Sequence, residues 1–559
     1  MCLGLVGCAS SDRGVYAPAK VGDAEVVGRP GMAVMDGKAV AAPAIPMGNP
    51  RTVARVIVEG KNGSQVMAHL TWLTENGPRL TGSARTDAAN RWALERFESW
   101  GLSGELYQWG TVQVRFDRGP STARILNKTE KKNEAGEVEV TWKPGREMQF
   151  TTLAWSAGTD GPVAGPVVRE PANEEEYTKL RDEGKLKGAW ILLKPMSVTG
   201  RQGVRGPGAQ AGSRWTSRKE ARDKVASGGS VAELPIDDRL IFDGIAGFIS
   251  TPKDERDRVW TTAIPKWRDK SMGDMIPDVE IIVRLADYDY INSRLTDGDE
   301  FKVEIDAKNV LTAGPFPVYN TIAEIRGTEK PDEVVIVSAH LDSWDGPGSR
   351  GATDNGTGSA VTLEAARLLA AAGARPKRTI RFILWTGEEQ GLLGSHEYVA
   401  ALGDNLANIS AVFVDDGGTN YEGGVQCVAD QAAMLAAATA PVNFVFVDSE
   451  SGKSLVCNVR TVERFPRGGG SDHASFTAKG VPGFFWDEVG RADYGFGWHT
   501  QHDTIALAVP EYLQQSATNA AVTAYNLANA PTLLPRWVDP PADEKKEGEE
   551  TPRRGRRGE

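Results

Sequence analysis

From residue 333 onward, short apolar runs alternate with longer segments of helical period, and no other feature constrains the fold as strongly. The run 333–340, EVVIVSAH, is apolar on both faces, as a strand covered on both sides must be. Residues 356–373 then place Val361, Ala365, Leu368 and Leu369 on one helical face. A second buried strand follows at 378–386, a helix at 392–403, a third strand at 409–416 and a fourth at 481–486. A long amphipathic helix at 510–530 closes the series. The alternation predicts an α/β fold with a mostly parallel central sheet and helices on both faces. In such sheets, ligands gather beyond the carboxyl ends of the strands.

Those strand ends carry the chemistry. The first ends at His340-Leu341-Asp342, the second leads to Glu388-Glu389, and the third ends at Asp415-Asp416. Asp354 precedes the first helix, and His499-Thr500-Gln501-His502-Asp503 follows the fourth strand. Any one of these is an ordinary cap or turn residue. Together on one rim, the carboxylates would repel one another unless cations neutralise them. With only six histidines and four scattered cysteines, a metal site here must lean on carboxylates. Imidazole and oxygen donors without thiolate suit zinc and, less selectively, manganese or cobalt. Two histidines and a carboxylate able to bridge point to two metals about 3.5–4 Å apart. Of Glu388 and Glu389, one can bind metal while the other faces the water to be activated. In the His340-x-Asp342 triplet, the carboxylate can fix the imidazole tautomer. The pattern does not choose between Asp415 and Asp416, because neighbouring strand residues point to opposite faces. His69 and His396, on helical patterns, read as structural.

The rest of the chain sets the context. Its 559 residues suggest two to four domains. A formal charge of −11, with no basic face, argues against general nucleic-acid binding. No run of 18 apolar residues provides a transmembrane helix. Leu5-Val6-Gly7-Cys8 looks like a lipoprotein cleavage box, but only seven residues precede Cys8 and none is basic. We read it as a truncated export signal, with residues 1–50 as signal and tether and lipid attachment at Cys8. Residues 51–154 carry two helical patterns and then strands. Residues 155–295 read as a separate β-rich unit, within which the Gly- and Arg-rich stretch 198–224 is expected to be an exposed loop. Residues 296–537 form the catalytic region, and the charged tail 538–559 is expected to be disordered. Cys427 and Cys457 are candidates for pairing in an oxidising compartment.

Six segments in this order resemble the M28 family of zinc exopeptidases, most closely its carboxypeptidase Q type. They are HLDSWD (340–345), GATDNGTGSA (351–360), RTIRFILWTGEEQGLLGSHEYV (378–399), VDDGGTNYEGG (414–424), GGGSDHASFTAKGVPG (468–483) and HTQHDT (499–504). GPRLTGS (77–83) extends the likeness, and residues 155–290 match the family's protease-associated insert more loosely. The resemblance implies that His340, Asp354 and Asp416 hold one zinc. Asp354, Glu389 and His499 hold the other, with Asp354 bridging. It makes Glu388 the general base and then the general acid, and Asp342 the residue that orients His340. Asp472, His473 and Trp498 become candidates for substrate contact. Many members carry Tyr where Trp498 stands, so the oxyanion donor does not carry over. The implied substrates are short peptides, and family members often form homodimers. Two rival expectations are a single-zinc glutaminyl cyclase-like enzyme and an inactive binding protein on the same scaffold.

Overall fold

The computed structural model describes residues 26–133, 136–197, 207–346, 348–465 and 468–537. Cys8, residues 198–206 and the tail 538–559 lie outside these. The central sheet has six strands, in the order Gly483–Phe485, Ile409–Val414, Lys330–His340, Arg378–Trp385, Asn309–Ile325, Ser103–Arg118. The first four run parallel. The last two are long and antiparallel, so the sheet is mixed, which the alternation of strands and helices after residue 333 does not reveal. Side chains alternate between two cores. Val335, Val337, Phe382 and Phe413 face the helices Val66–Glu75, Ala84–Ser99, Thr357–Ala371 and Pro510–Asn529. Ile336, Ile383, Trp385 and Val412 face the helices Leu393–Leu402 and His473–Thr477.

Residues 26–50 are not simply a tether. Strands Ala33–Met35 and Lys38–Val40 form a hairpin that joins a second sheet through Asn458–Thr461. Ala33 and Val34 are fully buried there, which supplies the apolar anchor that a Gly/Pro-rich composition conceals.

Residues 150–283 build their own sheet, in the order Phe150–Thr151, Glu280–Val283, Gly247–Ser250, Trp190–Leu192, Val167–Arg169. This unit is α/β, not β-rich. Its longest element is the helix Pro207–Ala226, in the stretch expected to be a loop. Ala211, Trp215, Arg218 and Ala221 form its buried stripe. The stripe is legible only once Arg218 counts as an inward residue. Its guanidinium lies 4.0 Å from the Phe248 ring and pairs with Glu280.

The thiols of Cys427 and Cys457 are both free and buried. The register places Cys427 opposite Thr461. Cys457 is therefore about 13 Å away along the strand, beyond disulfide reach.

Candidate active site

His340 ends its strand fully buried. Its Nδ1 donates to the backbone carbonyl of Asp342 at 2.9 Å, which leaves Nε2 as the free donor atom. Nε2 lies 2.9 Å from Asp416 Oδ1 and 3.4 Å from Asp354 Oδ1. The Asp342 carboxylate stands off from Nδ1 at 3.7 Å. It accepts instead from Thr81 Oγ1 at 2.6 Å, and Thr81 Oγ1 accepts from the Gly387 N–H at 3.0 Å. The tautomer is thus fixed by the chain folding its own carbonyl back onto the ring. The Asp342 side chain braces the turn that carries Glu388.

The loop Ala352–Gly356 is buried throughout and gripped from both sides. Thr353 donates its N–H and hydroxyl to Asp503, at 2.5 and 2.9 Å. Asn355 Nδ2 donates to the Asp415 carbonyl at 2.7 Å. Asp354 between them turns Oδ1 towards His340 and Oδ2 towards His499 Nε2, the latter at 3.1 Å. Glu389 Oε2 is 2.9 Å from the same His499 nitrogen, while its Oε1 accepts from the Trp344 N–H at 3.1 Å. Two donor groups result, His340/Asp354/Asp416 and Asp354/Glu389/His499, each with its atoms within 4.8 Å of one another. Asp416, not Asp415, is the neighbour of His340. Asp415 faces away and shares a hydrogen bond with Glu488.

His499 sits at a left-handed φ of 56° and is held there from the separate unit. The Thr261 N–H donates to its carbonyl at 2.9 Å. The Val259 N–H donates to Gln501 Oε1 at 2.7 Å, and Trp260 bridges to Thr500. Trp498 stacks on the His499 ring at 3.9 Å. No local pattern signals this clamp, because its halves lie 242 residues apart.

The electrostatics follow from crowding. Burial, and then Asp354, push Glu389 up to about 7. Burial raises Glu388 well above the usual carboxylate range; His340 opposes this, while Asp416, Asp472 and Glu389 add to it. Burial works against a charge on His499, but Glu389 and Asp354 outweigh it and push the imidazole up to about 10. A cation at each donor group would relieve this repulsion and release the imidazoles as neutral ligands.

A cavity of about 570 Å³ opens onto Asp354, Glu388, Glu389, Asp416 and His499, with Leu392, Phe485, Tyr494 and Trp498 in its walls. Of the expected substrate contacts, Trp498 lines it. Asp472 and His473 are fully buried and do not. Gly469 and Gly470 line the cavity wall in this loop, and a Cβ on Gly469 would meet His473 Nε2 at 2.3 Å. His69 packs beside Trp100 and 3.3 Å from Glu364, and His396 is exposed on its helix. His502 stacks on Phe496 and belongs to neither donor group. Arg79, fully buried, donates to the Leu341 and Gly351 carbonyls at 2.7 and 2.9 Å and so ties the two site loops together. The GPRLTGS segment was the only sign of its role.

Residues 320–524 match the profile of Peptidase family M28. The chain is 35% identical to carboxypeptidase Q of Mus musculus over 87% of this chain and 90% of that protein. It is also 35% identical to carboxypeptidase Q of Homo sapiens, over 39% of this chain and 43% of that one. The match therefore spans less than half of the human protein. In fold, it resembles the peptidase M28 precursor of Shewanella amazonensis, with a TM-score of 0.55 and 24% identity over 86% of this chain and 97% of that chain.

Proposed function

The chain belongs to peptidase family M28, and from that premise we propose that it is a co-catalytic dizinc exopeptidase acting on short peptides. The observation that carries this reading is the division of Asp354, whose two oxygens face different histidines. The donor sets fit zinc: His340, Asp354 and Asp416 would hold one ion, and Asp354, Glu389 and His499 the other, with cobalt or manganese as replacements. When bound, such a pair supplies a polarised substrate carbonyl and a water of lowered pKa.

The chain's own residues do the rest. Glu388 belongs to neither donor group, yet it faces the cavity and lies 4.0 Å from His340 Nε2. It takes the proton of the attacking water and later delivers it to the leaving amine. Asp342, through Thr81, holds the Glu388 turn in register. The apolar walls, Leu392, Phe485 and Trp498 among them, receive a side chain and exclude water. The substrates of this reading are dipeptides or peptides with a free amino terminus. The separate unit is the protease-associated domain of the family. No helix among the described residues is long and apolar enough to cross a membrane. The Leu5–Cys8 box supports an exported lipoprotein anchored at Cys8.

The test is a panel of dipeptides and aminoacyl amides, with zinc and with a chelator, including blocked amino termini. Zinc-dependent release of amino acids supports the reading. Absence of turnover across the zinc-loaded panel contradicts it.

A further inference from the structure

Trp498 precedes His499, and its indole is committed to stacking on the imidazole, 3.9 Å between centroids and 22° between planes. A ring in that pose fixes the plane of His499. Another polar aromatic residue lines the same cavity. Tyr494 opens the one-turn helix Tyr494–Gly497, five residues before His499, and lines the same cavity as Asp354, Glu388, Glu389 and Asp416. Its ring lies against Gly418, in the loop that carries Asp416. A Cβ at Gly418 would come within 2.6 Å of Tyr494 Cδ2, and Gly418 has a φ of +97°. That loop is therefore shaped around the phenol.

The backbone of Tyr494 is anchored on both sides. The Trp498 N–H donates to its carbonyl at 2.9 Å. Arg256 pairs with Asp493 at 2.6 Å, and Arg258 donates to the Gly495 carbonyl at 2.6 Å. The phenol oxygen itself makes no hydrogen bond to any described residue. Burial, followed by Asp354, Asp416 and Glu389, pushes its pKa well above 10, so the group stays protonated and can donate at neutral pH. Tyr494 shares the cavity with residues of both donor groups, Asp354, Asp416, Glu389 and His499.

We propose that Tyr494 donates the hydrogen bond that stabilises the oxyanion of the substrate, while Trp498 serves as the stacking support of His499. The proposal rests on the peptidase reading above. In the addition step, the water oxygen bonds to the carbonyl carbon and the π pair moves onto the carbonyl oxygen. Glu388 takes the water proton, and Tyr494 donates a hydrogen bond without losing its own proton. In the collapse step, the C–N bond breaks and the Glu388 proton passes to the amine.

Tyr494→Phe removes the donor and keeps the ring on Gly418. Its kcat should fall by about 10²–10³-fold, with KM within a few-fold and metal content unchanged. A phosphinic dipeptide analogue, tetrahedral at phosphorus, should lose affinity by a comparable factor in calorimetry, whereas the product amino acid should not. A Tyr494→Phe enzyme with kcat within threefold of the parent, or with undiminished analogue affinity, overturns the assignment. So does a loss of analogue affinity carried by Trp498→Phe and not by Tyr494→Phe. A parent protein that hydrolyses nothing overturns the peptidase reading itself, and an active parent separates the two failures.

Discussion

Glu388 and Glu389 are adjacent in the chain and opposite in surroundings. Both oxygens of Glu389 are engaged, one by the Trp344 amide and one beside His499, whereas Glu388 looks into the cavity. Glu388→Gln should keep its metal and lose about 10²–10⁴-fold in kcat, since an amide cannot accept the water proton. Glu389→Gln should lose metal instead. Elemental analysis of the two variants checks this, and the opposite pattern would exchange their roles. The same contrast holds at the third strand end. Asp416→Asn should weaken one metal and abolish most activity, while Asp415→Asn should retain full metal content. Sequence reached His340, Asp354, the Glu388-Glu389 pair and His499 because metal-capable residue types stood at strand ends and helix starts, and only the family resemblance divided the roles of the two glutamates. It could not choose between Asp415 and Asp416 without the family register, because the alternation breaks at the turn. It also placed Asp472 and His473 in reach of substrate, since nothing local shows that both are buried, with Gly469 lying against His473.

Among elements, the parallel strands and their helices were legible because each is apolar enough to announce burial on its own. The helix Pro207–Ala226 was not, because its inward face depends on an ion pair. Arg214 and Arg218 both bond to Glu280, which also accepts from Ser250 Oγ at 2.8 Å. Burial alone would raise Glu280, but the two guanidinium groups outweigh it and hold its pKa at about 2. A folded pKa below the unfolded value gives stability that is complete above about pH 4.5 and is lost as pH falls towards 2. A fall from the ordinary 4.5 to about 2 corresponds to roughly 3 kcal/mol. Urea unfolding at pH 6 and pH 3, read from the Trp215 neighbourhood, should show more than half of that loss, and Glu280→Gln should flatten it. The segment 259–261 is a second element whose role was hidden. Gln501→Ala would leave the buried Val259 N–H without its acceptor and loosen the His499 loop. Zinc affinity should fall by about 10–100-fold, as for other residues that orient a ligand. Titration against a competing chelator measures it, and unchanged affinity would show that the clamp does not tune the metal.

For the molecule as a whole, the ordered motifs between residues 340 and 504 foretold which side chains meet. How the separate unit leans on the His499 loop was not foretold, because those contacts join segments far apart in sequence and involve ordinary Trp, Thr and Gln residues. The central claim is that one bridging carboxylate divides the site between two ions. The most direct measurement is the zinc content of the purified full-length protein, with the His340→Ala and His499→Ala variants beside it. The account predicts two equivalents in the parent and loss from a different donor group in each variant, with His396→Ala unchanged. One equivalent or none in the zinc-saturated parent would contradict it.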